Sequence, residues 1–360
     1  MANAEGACSH PARIITVAAV TRPRPELLRW DNWTPSTRTP WGGRTIPDRM
    51  KAELPVDEAL RVGVVGESWE LSVDPSFPSR LARDGRLLSD VLAAEPEPWL
   101  GREAATRSTP MLVKLLDAKE NLSVQVHPED GAEWLEPTES GKPEAWVVLD
   151  RVPGAGIWLG LADGIDHDTL ARKLVAHDDI RDALNFVTVE PGDAFIIEAG
   201  TVHAVGAGVT LLEPQLVRPG KSGITYRFWD WGRRYDAAGR LDPRGELRPL
   251  HVEQSLRTAR WDGLFGADFV ASCRATPHEL SGGDVRHEHV LRLHELVLER
   301  VSGRGAIGIA GPGTLAALIV TQGRLAVGDA TAVGGQTLVI PAALEALDLT
   351  VDGEAFIVHL

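Results

Sequence analysis

Apolar and polar positions alternate over short stretches through most of this chain. Residues 66–73, Gly66-Glu67-Ser68-Trp69-Glu70-Leu71-Ser72-Val73, alternate as a half-buried strand does. Residues 122–127 do the same, with Leu122, Val124 and Val126 on one face and Ser123, Gln125 and His127 on the other. Apolar runs of strand length occupy 14–20, 111–116 and 145–149, and further strands are predicted at 194–197, 209–212 and 224–229. Helical spacing shows in two places. One is 87–94, with Ser89 and Asp90 near its start; the other is 166–185, where Leu170, Leu174 and Val175 recur.

Residues 232–262 are polar and carry Pro and Gly, so a domain boundary is drawn there. Beyond it, short strands are predicted at 295–301, 315–321, 325–327, 336–340 and 355–359, separated by glycine turns. The expected fold is mainly β: two jelly-roll barrels in tandem. The first spans residues 1–262, with a small helical insertion near 166–185, and the second spans 263–360.

At 360 residues the chain has room for a large core, and 43% hydrophobic with 24% charged residues suits a globular protein. Its net charge of −14 argues against a general binder of nucleic acid or membrane surfaces. Cys8 and Cys273 suggest neither a disulfide framework nor a thiolate metal site. No apolar run reaches transmembrane length, and the start lacks the basic-then-apolar order of a leader. A cytoplasmic location is therefore expected.

Candidate chemistry lies in scattered pieces. Gln125 and His127, two apart on a strand, can reach one point together, although taken alone they read more simply as polar side chains on a solvated face. Gly141-Lys142-Pro143-Glu144 sets a carboxylate just before an apolar strand. Ala199-Gly200-Thr201-Val202-His203 leaves an imidazole uncrowded in a tight turn. Together Gln125, His127, Glu144 and His203 supply nitrogen and oxygen donors for a zinc-type ion with an open position, which suits a Lewis acid. Arg227, among Tyr226, Phe228 and Trp229, can cap a core carboxylate or hold an anionic or polyhydroxyl ligand. His287 and His289 share a strand face, so a second metal there is conceivable, although an exposed polar segment is the simpler account.

The ordered set Gly66-Glu67-Ser68-Trp69-Glu70-Leu71-Ser72, Leu116-Asp117-Ala118 through Gln125-Val126-His127-Pro128, Gly141-Lys142-Pro143-Glu144, Ala199-Gly200-Thr201-Val202-His203-Ala204 and Thr225-Tyr226-Arg227 resembles type I phosphomannose isomerases. The resemblance runs from about Trp41 to Trp231. It implies tandem cupin barrels and a zinc-dependent enzyme interconverting mannose 6-phosphate and fructose 6-phosphate through a cis-enediol(ate). It implies one zinc per chain on Gln125, His127, Glu144 and His203, and catalytic roles for Arg227, Lys142 and Glu213. Trp41 and Lys221 are candidate substrate-binding residues. Lys221 and Arg218 lie in a stretch, 217–223, where many members carry a shorter Gln-Ser-Ser-Asp-like segment. The implied partner is a phosphosugar, with no nucleic acid or membrane, and the assembly a monomer or homodimer. A different phosphosugar on the same scaffold, or a sugar-binding cupin without turnover, remains as an alternative. A cupin dioxygenase is disfavoured, because Gln125 stands where such an enzyme would place His.

Overall fold

The computed structural model describes residues 23–237 and 240–360. The strand expected at 14–20 and Cys8 lie outside them. The fold is mainly β, as the alternation predicts. Two sheets form the first half. One has six strands, in the order Arg274–Ala275, Ala194–Ile197, Glu144–Arg151, Val209–Leu216, Met111–Ala118 and Glu67–Leu71. The other has five, in the order Tyr226–Trp229, Val124–Val126, His203–Val205, Gly156–Leu161 and Leu184–Thr188. They share a core in which Leu116, Trp146 and Leu211 of the first meet Ile157, Leu159 and Val205 of the second. That interleaving of inner faces is sandwich packing.

Alternation decides what lies between the sheets. The residues two positions along from Leu116, Trp146 and Leu211 are Lys114, Glu144 and Glu213, so these polar groups face inward too. One end of the sandwich is therefore apolar and the other polar. Trp41-Gly42-Gly43 closes over the apolar end. A Cβ on Gly42 would stand 2.3 Å from the Gly66 nitrogen, and one on Gly43 would stand 2.5 Å from the Asp117 carboxylate, so both must be glycine.

The helical insertion resolves into a helix His167–Val175, capped by the Asp166 side chain on the Thr169 amide, and a 3-10 turn Arg181–Ala183. Leu170 and Leu174 bury against Val126 and Phe228, on the outer side of the five-stranded sheet. A helix not foreseen from sequence, Val252–Thr258, packs there through Leu256. No helix among the described residues is long and apolar enough to cross a membrane.

The second half is one eight-stranded sheet. Its strands are longer than the sequence suggested: Leu296–Ala310, Ala316–Val327 and Ala346–His359 run through the glycines taken as turns. Gly303, Gly305, Gly323 and Gly353 adopt positive φ inside these strands, and the ladder continues in register through them.

The chain crosses between the halves twice. Arg274–Ala275 pairs with Ala194 and Phe195 of the first half. Glu26–Leu27, near the other end of the sequence, pairs with Leu338 and Val339 of the second sheet. One apolar cluster joins Leu71, Val113 and Leu115 to Leu291, Leu298 and Phe356, so the halves share a core.

Candidate metal centre

Three inward-facing donors meet at the polar end of the sandwich. Glu144 begins its strand, His127 follows the short strand Val124–Val126, and His203 opens the strand His203–Val205. Their ligating atoms all lie within 4.8 Å of one another. His127 Nε2 stands 3.3 Å from one Glu144 oxygen, and His203 Nε2 stands 3.3 Å from the other. All three residues are buried.

The backbone fixes which nitrogen points inward. His127 Nδ1 donates to the Ile224 carbonyl at 3.0 Å, and His203 Nδ1 donates to the Thr201 carbonyl at 2.8 Å. A carbonyl can only accept, so each proton sits on Nδ1 and each Nε2 presents a lone pair. Those lone pairs face carboxylate oxygens, and His127 Nε2, His203 Nε2 and Glu144 Oε1 have no hydrogen-bond partner. Acceptors facing acceptors in a buried site call for a cation between them. Two atoms bound at about 2.1 Å to a tetrahedral zinc stand roughly 3.3–3.4 Å apart, so the spacing fits such an ion. The two ligand loops are tied together, because the Gly200 amide donates to the His127 carbonyl at 2.8 Å.

Charged groups surround the trio. Lys142 Nζ donates to Glu144 Oε2 at 3.0 Å. Gln215 bridges two carboxylates, its Nε2 donating to Glu144 Oε2 at 2.8 Å and to Glu213 Oε2 at 2.7 Å. Trp146 Nε1 donates to Glu213 Oε1 at 3.1 Å. Lys114 Nζ lies between Glu213 at 3.8 Å and Glu67 at 3.9 Å, and 4.6 Å above the Trp69 ring. Burial and the Glu144 charge push the Glu213 carboxyl up to about 8. Burial works against the Glu144 carboxylate, but the Lys142 charge beside it outweighs that and holds the group well below its ordinary range. Burial, with the Lys142 charge beside it, lowers His127 to about 3, so this imidazole is neutral as a ligand must be. Burial lowers the Lys142 ammonium, and the Glu144 and Glu213 carboxylates more than reverse that.

The five-stranded sheet supplies the facing row. Gln125 sits directly opposite His203 on one side and Arg227 on the other, so the three side chains share the inner face. Arg227 donates through one terminal nitrogen to the Pro249 carbonyl at 3.1 Å, while its buried Nε has no partner. Burial and the nearby Arg248 charge lower its guanidinium from the ordinary value.

Thus His127, Glu144, His203, Lys142 and Glu213 come together as one cluster, and Gln125 and Arg227 lie in register with it. Two candidates lie elsewhere. Trp41 is buried in the core with Leu116 and Leu211, its ring against Gly66. Lys221 lines a cavity with Ser72, Asp74, Thr109 and Arg218, while Arg218 is paired to Asp130. Lys114, Gln215, Trp146 and Glu67 were missed as site residues. A lysine inside the apolar run 111–116 was the available signal for the first.

Comparison with known proteins agrees with the motif resemblance. Residues 36–144 match the family described as phosphomannose isomerase type I, catalytic domain. A curated relative, mannose-6-phosphate isomerase of Streptococcus mutans serotype c, is 32% identical over 219 residues, covering 60% of this chain and 63% of that protein. The chain thus spans somewhat under two thirds of that relative's length in the match. The fold is similar to a crystal structure of mannose 6-phosphate isomerase from Bacillus subtilis, with a TM-score of 0.76 and 23% identity, covering 94% of this chain and 100% of that one. It is also similar to a mannose 6-phosphate isomerase structure described as holo and zinc bound, with a TM-score of 0.68 and 15% identity over 94% and 99% of the two chains. The resemblance to type I phosphomannose isomerases read from the motifs is shown by these matches.

Proposed function

We propose that this chain is a zinc-dependent isomerase that interconverts D-mannose 6-phosphate and D-fructose 6-phosphate through a cis-enediol, with one catalytic zinc per chain. The single observation that carries the reading is the buried trio of His127, Glu144 and His203, whose inward acceptor atoms have no partner but one another. The family match and the relatives' names supply the substrate.

His127, Glu144 and His203 would hold the ion, with Gln125 beside His203 on the same face as a fourth donor. Bound there, zinc supplies Lewis acidity for a carbonyl or enediol oxygen. The remaining work falls to this chain's own groups. The reaction moves a proton from C2 to C1 and a second between the two oxygens, so it needs a group that can take and return a proton near neutral pH. Glu213, pushed up to about 8, is that group. Gln215 and Trp146 hold its two oxygens and fix its aim. Lys142, kept protonated by its carboxylate neighbours, donates a charged hydrogen bond towards the reacting oxygens. Arg227 places a guanidinium on the facing sheet, where it stabilises negative charge as it develops. Lys114, on the six-stranded sheet, sits between Glu67 and Glu213.

The testing experiment is a coupled assay of mannose 6-phosphate to fructose 6-phosphate, before and after chelation and with zinc restored. Chelator-sensitive turnover recovered by zinc supports the reading. A folded, zinc-loaded protein inactive on this pair but active on another phosphosugar would replace the substrate. Arg227→Ala should lower turnover by about a hundred- to a thousandfold with metal content unchanged. Zinc lost together with activity would make Arg227 a structural residue.

A further inference from the structure

A second carboxylate lies between two imidazoles in the other half of the molecule. Glu299 Oε2 is 3.0 Å from His287 Nε2, and Glu299 Oε1 is 3.9 Å from His359 Nε2. The three come from adjacent strands of the eight-stranded sheet, Val285–Leu293, Leu296–Ala310 and Ala346–His359. Two residues along from them are Val285, Val301 and Ile357, which form the apolar cluster on this sheet's own inner face. The trio therefore stands at the rim of that face. His289 is directly opposite Glu299 in the register, with its ring 4.8 Å from that of His278 on the next strand.

The hydrogen bonding resembles that of the first centre at His359 alone, because His287 Nε2 is itself at hydrogen-bond distance, 3.0 Å, from Glu299 Oε2. His359 Nδ1 donates to a Leu360 oxygen at 3.1 Å, which leaves its Nε2 as a lone pair facing Glu299 Oε1. Among the described residues, the ion-pair partners of Glu299 are these two imidazoles, with no lysine or arginine. Arg300, next in sequence, is engaged by Glu288. A largely buried carboxylate with no lysine or arginine partner needs a positive charge, which a bound cation would supply in place of the proton on His287 Nε2.

We propose that His287, Glu299 and His359 form a second site for a divalent transition metal of the zinc type, independent of the catalytic centre. The donor set is again nitrogen, oxygen, nitrogen. It is looser than the first. His287 already stands within ligand spacing of Glu299, whereas His359 must close from 3.9 Å by roughly 0.6 Å to reach the spacing zinc imposes. Among the described residues no counterpart of Lys142 or Gln215 donates to this carboxylate, so the site binds metal without machinery for turnover.

Metal-free protein titrated with Zn2+ alone, followed by calorimetry and elemental analysis, tests this. Two equivalents per chain are expected, the second weaker by at least tenfold. Glu299→Gln and His359→Ala should each abolish the weaker equivalent and leave the tighter one and isomerase activity intact. Glu144→Gln should do the reverse, losing the tighter and keeping the weaker. Wild-type uptake of one equivalent, or a second equivalent indifferent to both variants in the eight-stranded sheet, overturns the proposal. Because the readout is metal content, failure here is distinct from failure of the isomerase assignment. An unchanged melting temperature of metal-free Glu299→Gln separates lost binding from lost folding.

Discussion

Single atoms decide most of the site's character. Glu144 is held ionised by the Lys142 charge, and its two oxygens face two different histidines. Glu144→Gln keeps the shape but replaces one oxygen by an N–H donor that meets a lone pair badly. Zinc affinity should fall by at least about a hundredfold, as titration against a chelator of known affinity would measure. Glu213 behaves oppositely. Its folded value, about 8, lies above the ordinary carboxyl value of 4.5. Between those two values the unfolded chain has released this proton and the folded one retains it. This group's contribution to stability therefore declines as pH rises from about 4.5 to about 8. Urea unfolding of the metal-free protein across that window should show Glu213→Gln flattening the decline. A wild type and variant with parallel pH dependence would show that Glu213 titrates as an ordinary carboxyl.

At the scale of the element, the strand Glu67–Leu71 shows how one alternation serves two purposes. Glu67 and Trp69 face the site and meet Lys114. Ser68 and Glu70 face the other way, onto Lys51, which is fully buried. Lys51 Nζ donates to Glu70 at 2.6 Å, to Ser68 Oγ at 2.9 Å and to the Trp30 carbonyl at 2.9 Å. The second Glu70 oxygen accepts from Thr337 of the eight-stranded sheet at 2.9 Å. Removing either charge strands the other in the core, so Lys51→Met and Glu70→Gln should each cost about 3–5 kcal/mol by denaturant unfolding. The double variant should lose less than the two single losses added together.

This element also marks what could be read from sequence. Its alternation identified the strand but not the partners of its charges, since Lys51 and Thr337 are remote in the chain. The proposed ligands His127, Glu144 and His203 were legible because each sits in a local motif with a strong conformational signature. Gln215 and Lys114 were not, because their roles arise from cross-strand register: Gln215 opposite Glu144, and Lys114 opposite Glu213. The long strands of the second half were under-read because glycine marks a turn in isolation, whereas here the ladder continues through it.

At the scale of the molecule, the two halves are not separable pieces. They share the cluster of Leu71, Val113, Leu298 and Phe356, and Thr337 holds Glu70, three residues from Glu67. A chain ended near residue 275 would keep every proposed ligand yet expose that shared core and unpair Glu70. It should precipitate or bind a hydrophobic dye, and fail to retain zinc at the wild-type stoichiometry. A soluble, zinc-loaded fragment would show that the first half stands alone.

The pairing of Glu26–Leu27 with Leu338 and Val339 has a consequence in time. On the ribosome the segment at 26–28 emerges well before its partner strand, which is made more than three hundred residues later. Closing so long a loop forms few contacts until the sheet between is in place, so this pairing belongs among the last steps of folding. Until then the edge of the strand Thr337–Ile340 is open, and another chain could add to it. A nascent protein crowded among its own copies would be vulnerable at that edge, and the early-made segment serves, once it docks, as the stopper.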